Sequence, residues 1–159
     1  MSEALRVLVI GDSPTMRALL LACLEKEGDL ASEGVGTLRE AQERLGQSAF
    51  EAALLDLTLP DASGLEALKA LRAEWPALAV VVVTGAGREL EAEALREGAQ
   101  DYLTKKGLGA VSLVLALRQA VARQQVSQRL LPVRQGLDAT AKVIEELERI
   151  EEAREAPGP

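Results

Sequence analysis

The chain has 159 residues, of which 48% are apolar and only 2% aromatic, and its net charge at pH 7 is -7. That length suits one domain plus a small extra element, and the core must be built from aliphatic side chains. An acidic, ring-poor surface argues against phosphate-backbone attraction, against base stacking and against anionic membranes, so neither nucleic acid nor membrane is an expected partner.

Histidine is absent, which removes histidine-base triads, imidazole metal ligands and a phosphohistidine carrier role. Cys23 is the lone cysteine, so neither an intrachain disulfide nor a cysteine-rich zinc site is available. The opening segment Ala4–Ile10 has no basic region before it and is too short for a signal peptide or a membrane span. A cytoplasmic location is expected.

The first predicted strand is the apolar run Val7–Ile10. Ser13 then reads as a helix N-cap with Pro14 at the first helical position, opening a helix that Gly28 stops after about Glu27. Ala31–Val35 is a weak second strand. Thr37-Leu-Arg-Glu40 is a capping-box pattern starting a helix over Leu38–Leu45. Ala52–Leu55 is the third strand, and a second capping box, Ser63 to Glu66, predicts a helix over Gly64–Glu74 ended by Pro76. Ala79–Val83 is apolar and largely β-branched without alternation, as a parallel strand buried on both faces should be. A helix over Arg88–Glu97 closed by Gly98, a short strand at Tyr102–Leu103 and a long helix over Gly109–Leu131 complete the alternation.

Five strand–helix units predict an α/β fold with a doubly wound parallel sheet, its ligands at the carboxyl ends of the strands. Beyond Leu131 the composition changes. Pro132 interrupts the pattern, and Asp138–Glu155 is Glu-rich with Leu137, Ile144, Leu147 and Ile150 three to four residues apart for most of its length. This predicts residues 1–124 as one domain and 125–159 as a helical extension with a frayed end. The apolar stripe, continued upstream by Leu130, needs a covering surface, and a homodimer through these residues is the expectation.

Four polar groups fall at strand ends on one edge of the sheet: Asp12 after the first, Asp56 after the third, Thr84 after the fourth and Lys105 after the fifth. Each also has an ordinary structural use. Asp12 is a possible helix cap, Asp56 a turn residue, Thr84 a β-former, Lys105 a solvated loop charge, and Tyr102 a half-buried strand aromatic.

The segments VLVIGDSPTMRALL, AALLDLTLPDASGLEAL, AVVVVTGAG and EGAQDYLTK, in this order, resemble the receiver domains of two-component response regulators over about Leu5 to Arg123. The resemblance implies a flavodoxin-like five-stranded sheet of order 2-1-3-4-5. It implies that Asp56 accepts a phosphoryl group from a sensor histidine kinase. Magnesium would be held by Asp12, Asp56 and the backbone carbonyl of Thr58. Lys105 would bind the phosphoryl group, with Thr84 and Tyr102 as the switch pair. The chain would signal to a downstream protein without DNA-binding output, and would not be a turnover enzyme.

Three positions depart from the family pattern. Gly11 stands where an acid is usual, so one metal-directing carboxylate is missing and weak magnesium binding is expected. Lys106 replaces the usual proline, and Ala86 is too small to orient a water. Gly11 also supports an alternative, a phosphorylation-independent pseudo-receiver acting as a binding or dimerisation module. A haloacid-dehalogenase-like phosphatase fits poorly: its nucleophile follows the first strand with a second Asp two residues on, whereas Asp56 follows the third and that later residue is Thr58.

Overall fold

The computed structural model describes residues 5–62, 65–85, 87–106 and 108–127. In chain order these form β1 (Leu5–Ile10), α1 (Pro14–Glu25), β2 (Leu30–Val35), α2 (Leu38–Gln47), β3 (Ala52–Leu55), α3 (Glu66–Glu74), β4 (Ala79–Thr84), α4 (Glu91–Arg96) and β5 (Asp101–Thr104). A helix over residues 110–127, α5, closes the series. Backbone contacts divide the chain into two compact units, Met1–Gln124 and Gln125–Pro159. The expected amphipathic helix, with Leu130, Leu137, Ile144, Leu147 and Ile150, lies outside the described residues. Among the described residues no helix is long and apolar enough to cross a membrane.

The five strands form one sheet in the order β2-β1-β3-β4-β5, and every neighbouring pair is parallel. The expected α/β architecture and strand order are therefore observed. Side-chain alternation divides the core into two apolar layers. Leu8, Ile10, Leu55, Val80 and Val82 pack with α2, α3 and Ala94 of α4 on one face. Val7, Val9, Leu54, Val81 and Val83 pack with α1 and with Leu113, Leu117 and Val121 of α5 on the other. All six residues of β4 are buried, which is why its sequence is a continuous apolar run rather than an alternating one.

Local signals account for several helix ends. Ser13 caps α1 by accepting from the Met16 N–H at 3.2 Å, and Thr37 caps α2 by accepting from the Glu40 N–H at 3.0 Å. Gly98 ends α4 in the left-handed region, at φ 104°. The Ala99 N–H then donates back to the Ala94 carbonyl at 3.0 Å and the Gly98 N–H to the Leu95 carbonyl at 3.1 Å, the paired closure that only a residue tolerant of positive φ allows cheaply.

Two helix starts differ from expectation. The predicted helix over Arg88–Glu97 is a 3-10 turn, Arg88–Leu90, followed by the short α4. Gly87 precedes the turn and offers no side-chain acceptor, so the first donors are uncapped and the turn tightens. The third helix begins at Glu66 rather than Gly64, with Leu65 at its cap position and no side-chain cap bond. Ser63 and Gly64 lie outside the described residues.

The start of α2 carries an unexpected brace. The Leu38 and Arg39 N–H groups donate to the two carboxylate oxygens of Asp61 at 2.9 and 3.0 Å. With Thr37 holding Glu40, the open donors of that helix end are met from two directions. These backbone bonds hold the Asp61 carboxyl below its ordinary range. A depressed folded pKa means that Asp61 contributes stability above the unfolded aspartate pKa, and that the contribution fades as pH falls through the folded value. Asp61→Asn should therefore lower the urea midpoint at pH 7, with the gap from wild type closing in acid. Equal midpoints at pH 7, or a gap independent of pH, would contradict the brace.

Candidate functional site

Strand order gathers the polar residues. The Asp56 N–H donates to the Ile10 carbonyl at 2.8 Å, which ties the end of β3 to the end of β1. The Lys105 N–H donates to the Thr84 carbonyl at 2.8 Å, which ties the end of β5 to the end of β4. With β1, β3, β4 and β5 adjacent in that order, the residues after their last hydrogen-bonded positions share one rim of the sheet.

The centre of that rim is an ion pair. Lys105 Nζ stands 2.6 Å from Asp56 Oδ2, and their side chains are only 21% and 11% exposed. The lysine stem passes over Gly85, where a Cβ would lie 3.7 Å from Lys105 Cδ. The other acceptor oxygen, Asp56 Oδ1, receives the Thr58 N–H at 3.0 Å. The carboxylate is thereby fixed in direction, with an ammonium donor at the place where an incoming anionic group would need one.

Asp12 is brought to the same rim but stays exposed, and Thr58 is exposed as well. Among the described residues no group of three or more Asp, Glu, His or Cys side chains converges to hold a metal ion. The donors that are present, two carboxylates and the Thr58 carbonyl, are hard oxygens and fit magnesium in kind. What falls short is charge. A Cβ at Gly11 would lie 3.4 Å from Asp56 Cβ and 3.9 Å from Asp56 Oδ2, so the absent side chain is one that would stand against the Asp56 carboxylate.

Thr84 is 2% exposed at the end of β4. Tyr102 is 1% exposed and belongs to the core, not to a half-buried surface. Its hydroxyl donates to the Gly87 carbonyl at 2.9 Å, in the loop leading to α4. Burial is the main reason that the phenol is held above its ordinary pKa. Lys106 is exposed, and Ala86 lies outside the described residues, as do the expected partner-binding residues Leu130, Leu137, Ile144, Leu147 and Ile150.

Two residues of this region had no signal in their own spacing. Asp61 reads as an ordinary turn residue after Pro60, yet it caps a helix far away in sequence. Arg17 reads as a polar position on α1, yet its guanidinium bonds the Gly11 carbonyl and, at 3.2 Å, the Asp12 carbonyl. The glycine pair Gly34 and Gly36 is the one trace of it in the sequence, since Arg17 fills the space beside both.

Comparison with known proteins agrees with this geometry. The family model for the response regulator receiver domain matches residues 7–118. The response regulator protein PilR of Pseudomonas aeruginosa is 33% identical over 133 residues, covering 79% of this chain and 30% of PilR. A protein-glutamate methylesterase/protein-glutamine glutaminase of Rhizobium etli is 35% identical over 112 residues, covering 69% of this chain and 32% of that protein. The chain thus spans about a third of the length of these curated relatives. Among solved structures, the response regulator domain of Thermotoga maritima CheB has a TM-score of 0.68 at 30% identity, covering 76% of this chain and 98% of that one. A CheY-like receiver domain protein of Methanospirillum hungatei has a TM-score of 0.71 at 26% identity, covering 79% of this chain and 99% of that one. A match running from β1 into α5, and taking in every strand end of the site, makes this chain a member of the receiver domain family of two-component response regulators.

Proposed function

We propose that this receiver takes a phosphoryl group on Asp56 from the phosphohistidine of a sensor histidine kinase and relays the change through protein contacts. The observation that carries the reading is the Asp56–Lys105 ion pair on the rim where four strand ends meet. An Asp56 carboxylate oxygen attacks phosphorus, an acyl–phosphate bond forms, the phosphorus–nitrogen bond of the donor breaks, and the imidazole leaves with the bonding pair. Lys105 follows the negative charge from the carboxylate onto a phosphoryl oxygen. Asp12, Asp56 and the Thr58 carbonyl would hold magnesium, which would supply further positive charge during the transfer.

The switch uses Thr84 and Tyr102. The Thr84 hydroxyl turns toward the phosphoryl group, and space opens beside the Tyr102 ring. Because the Tyr102 hydroxyl is bonded to Gly87, movement there changes the loop entering α4 and the face it shares with β5. The chain acts in the cytoplasm, catalyses its own modification but no turnover reaction, and reports to a downstream protein rather than to DNA. A second reading, a pseudo-receiver that needs no phosphate, is favoured by one observation, the missing side chain at Gly11 beside Asp56.

Intact-mass measurement separates the two. A small phosphodonor with Mg²⁺ should add one phosphoryl group to wild type and none to Asp56→Asn. Equal labelling of both proteins refutes the acceptor assignment, and an unlabelled wild type establishes the pseudo-receiver.

Metal binding gives a further check. Gly11→Asp restores a carboxylate beside Asp56 and should tighten Mg²⁺ binding about tenfold in a calorimetric titration. Unchanged or weaker binding would show that the site no longer depends on the missing acid.

The stripe Leu130, Leu137, Ile144, Leu147 and Ile150 supports a homodimer formed by the C-terminal segment. Gln124 is buried and bonded to Gln100 at 2.8 Å and to the Pro76 carbonyl at 3.0 Å, so a truncation that leaves the receiver intact must retain it. Light scattering should find the full chain dimeric and a chain ending at Ser127 monomeric. A monomeric full chain, or a dimer that survives truncation, contradicts the proposal.

A further inference from the structure

The loop that carries Thr58 is anchored at both ends. At its start, Asp56 Oδ1 accepts from the Thr58 N–H at 3.0 Å. Leu57 and Leu59 are 6% and 8% exposed and pack in the apolar layer with α2 and α3, so Thr58 is held outward between two buried side chains. Leu59 and Ala62 then form an antiparallel bridge, which closes a tight turn with the exposed Pro60 and Asp61 at its tip.

Nothing in the turn itself fixes where its tip sits against the rest of the rim. Asp61 supplies that link. Its two carboxylate oxygens accept from the Leu38 and Arg39 N–H groups at 2.9 and 3.0 Å, so the tip is pinned at two points to the first turn of α2. That helix is held independently. Ala41 and Leu45 are buried in the core, and Thr37 already caps the Glu40 N–H at 3.0 Å. The helix is therefore the fixed partner, and the turn is the part that is placed.

We propose that Asp61 is a positioning residue for phosphoryl transfer: by tying the turn to α2 it sets the place of the Thr58 backbone, and with it the carbonyl that faces the divalent ion. The inference rests on the reading of Asp56 as acceptor and of the Thr58 carbonyl as a metal ligand. A carboxylate can turn about its own bonds to follow an ion, but a backbone carbonyl goes only where its loop puts it, and magnesium tolerates little departure from octahedral geometry. With no acid at Gly11 beside Asp56, more of the binding falls on the donors that remain. A loosely held Thr58 would then be felt directly in the affinity.

The test uses the full chain as wild type, Asp61→Ala, Asp61→Asn and Thr37→Ala, with thermal melts to confirm that each is folded. Thr37→Ala is the structural control, since it removes a cap from the same helix end without touching the bonds to the turn. Both alanine variants should melt lower than wild type. Calorimetric titration with Mg²⁺ alone should separate them. Asp61→Ala should bind about threefold to tenfold more weakly, and Thr37→Ala should bind as wild type does. Asp61→Asn keeps a side-chain oxygen for the helix N–H groups and should fall between wild type and Asp61→Ala. Unchanged binding in Asp61→Ala, or equal weakening in Thr37→Ala, overturns the proposal. Equal weakening in Asp61→Asn and Asp61→Ala also overturns it, because the carboxylate would then act by its charge alone. Labelling by a small phosphodonor gives the second readout. Asp61→Ala should need about threefold to tenfold more Mg²⁺ to reach its half-maximal rate, with a plateau close to wild type. A lowered plateau at an unchanged Mg²⁺ requirement contradicts the proposal. A wild type that binds Mg²⁺ but takes no label refutes the acceptor reading, and the titration still decides the role of Asp61.

Discussion

The ion pair between Asp56 and Lys105 joins residues at the ends of two strands that are not neighbours, because β4 lies between β3 and β5. Its 2.6 Å geometry requires β4 to end at Thr84 and β5 to stay in register with β4. A carboxylate and an ammonium this little exposed interact more strongly than a surface pair, and neither is easily left alone. Any change of charge on Asp56 therefore acts first on Lys105, and through its backbone bond to Thr84 on the end of β4. On the proposed function, the strand ends would be both the site of chemistry and the start of its transmission.

Asp12 is exposed and Gly11 contributes no carboxylate, so the Asp56–Lys105 pair carries the charge at the centre of the rim. Fewer acids there leave less negative charge to attract a divalent ion. The buried Tyr102 is bonded through its hydroxyl to the Gly87 carbonyl, which ties β5 to the loop entering α4.

Much of this was legible in the sequence because the signals are local. The run Val80–Val83 lacks alternation since both of its faces are covered, and Ser13 and Thr37 cap the helices that their spacing suggests. Asp56 and Lys105 were legible as strand-end residues, because the alternation of strands and helices places every such end on one rim. The rest failed where partners are distant. Asp61 finds its acceptor role across the sheet rim at α2, and Arg17 depends on Gly34 and Gly36, which say nothing about it when read alone. The α4 region was misread because periodicity does not reveal an uncapped first turn. Tyr102 was underestimated in burial because a four-residue strand carries too little pattern to show which of its residues faces the core.

The central claim is that the Asp56 carboxylate is the atom group that receives phosphorus. An acyl phosphate is reduced by borohydride to an alcohol, which converts a phosphorylated aspartate to homoserine, whereas free carboxylates are untouched. The protein should be treated with a small phosphodonor and Mg²⁺, reduced, digested and sequenced by mass. The account predicts homoserine at position 56 alone. Homoserine at position 12 or 61, or none at any aspartate despite an intact fold, would contradict it.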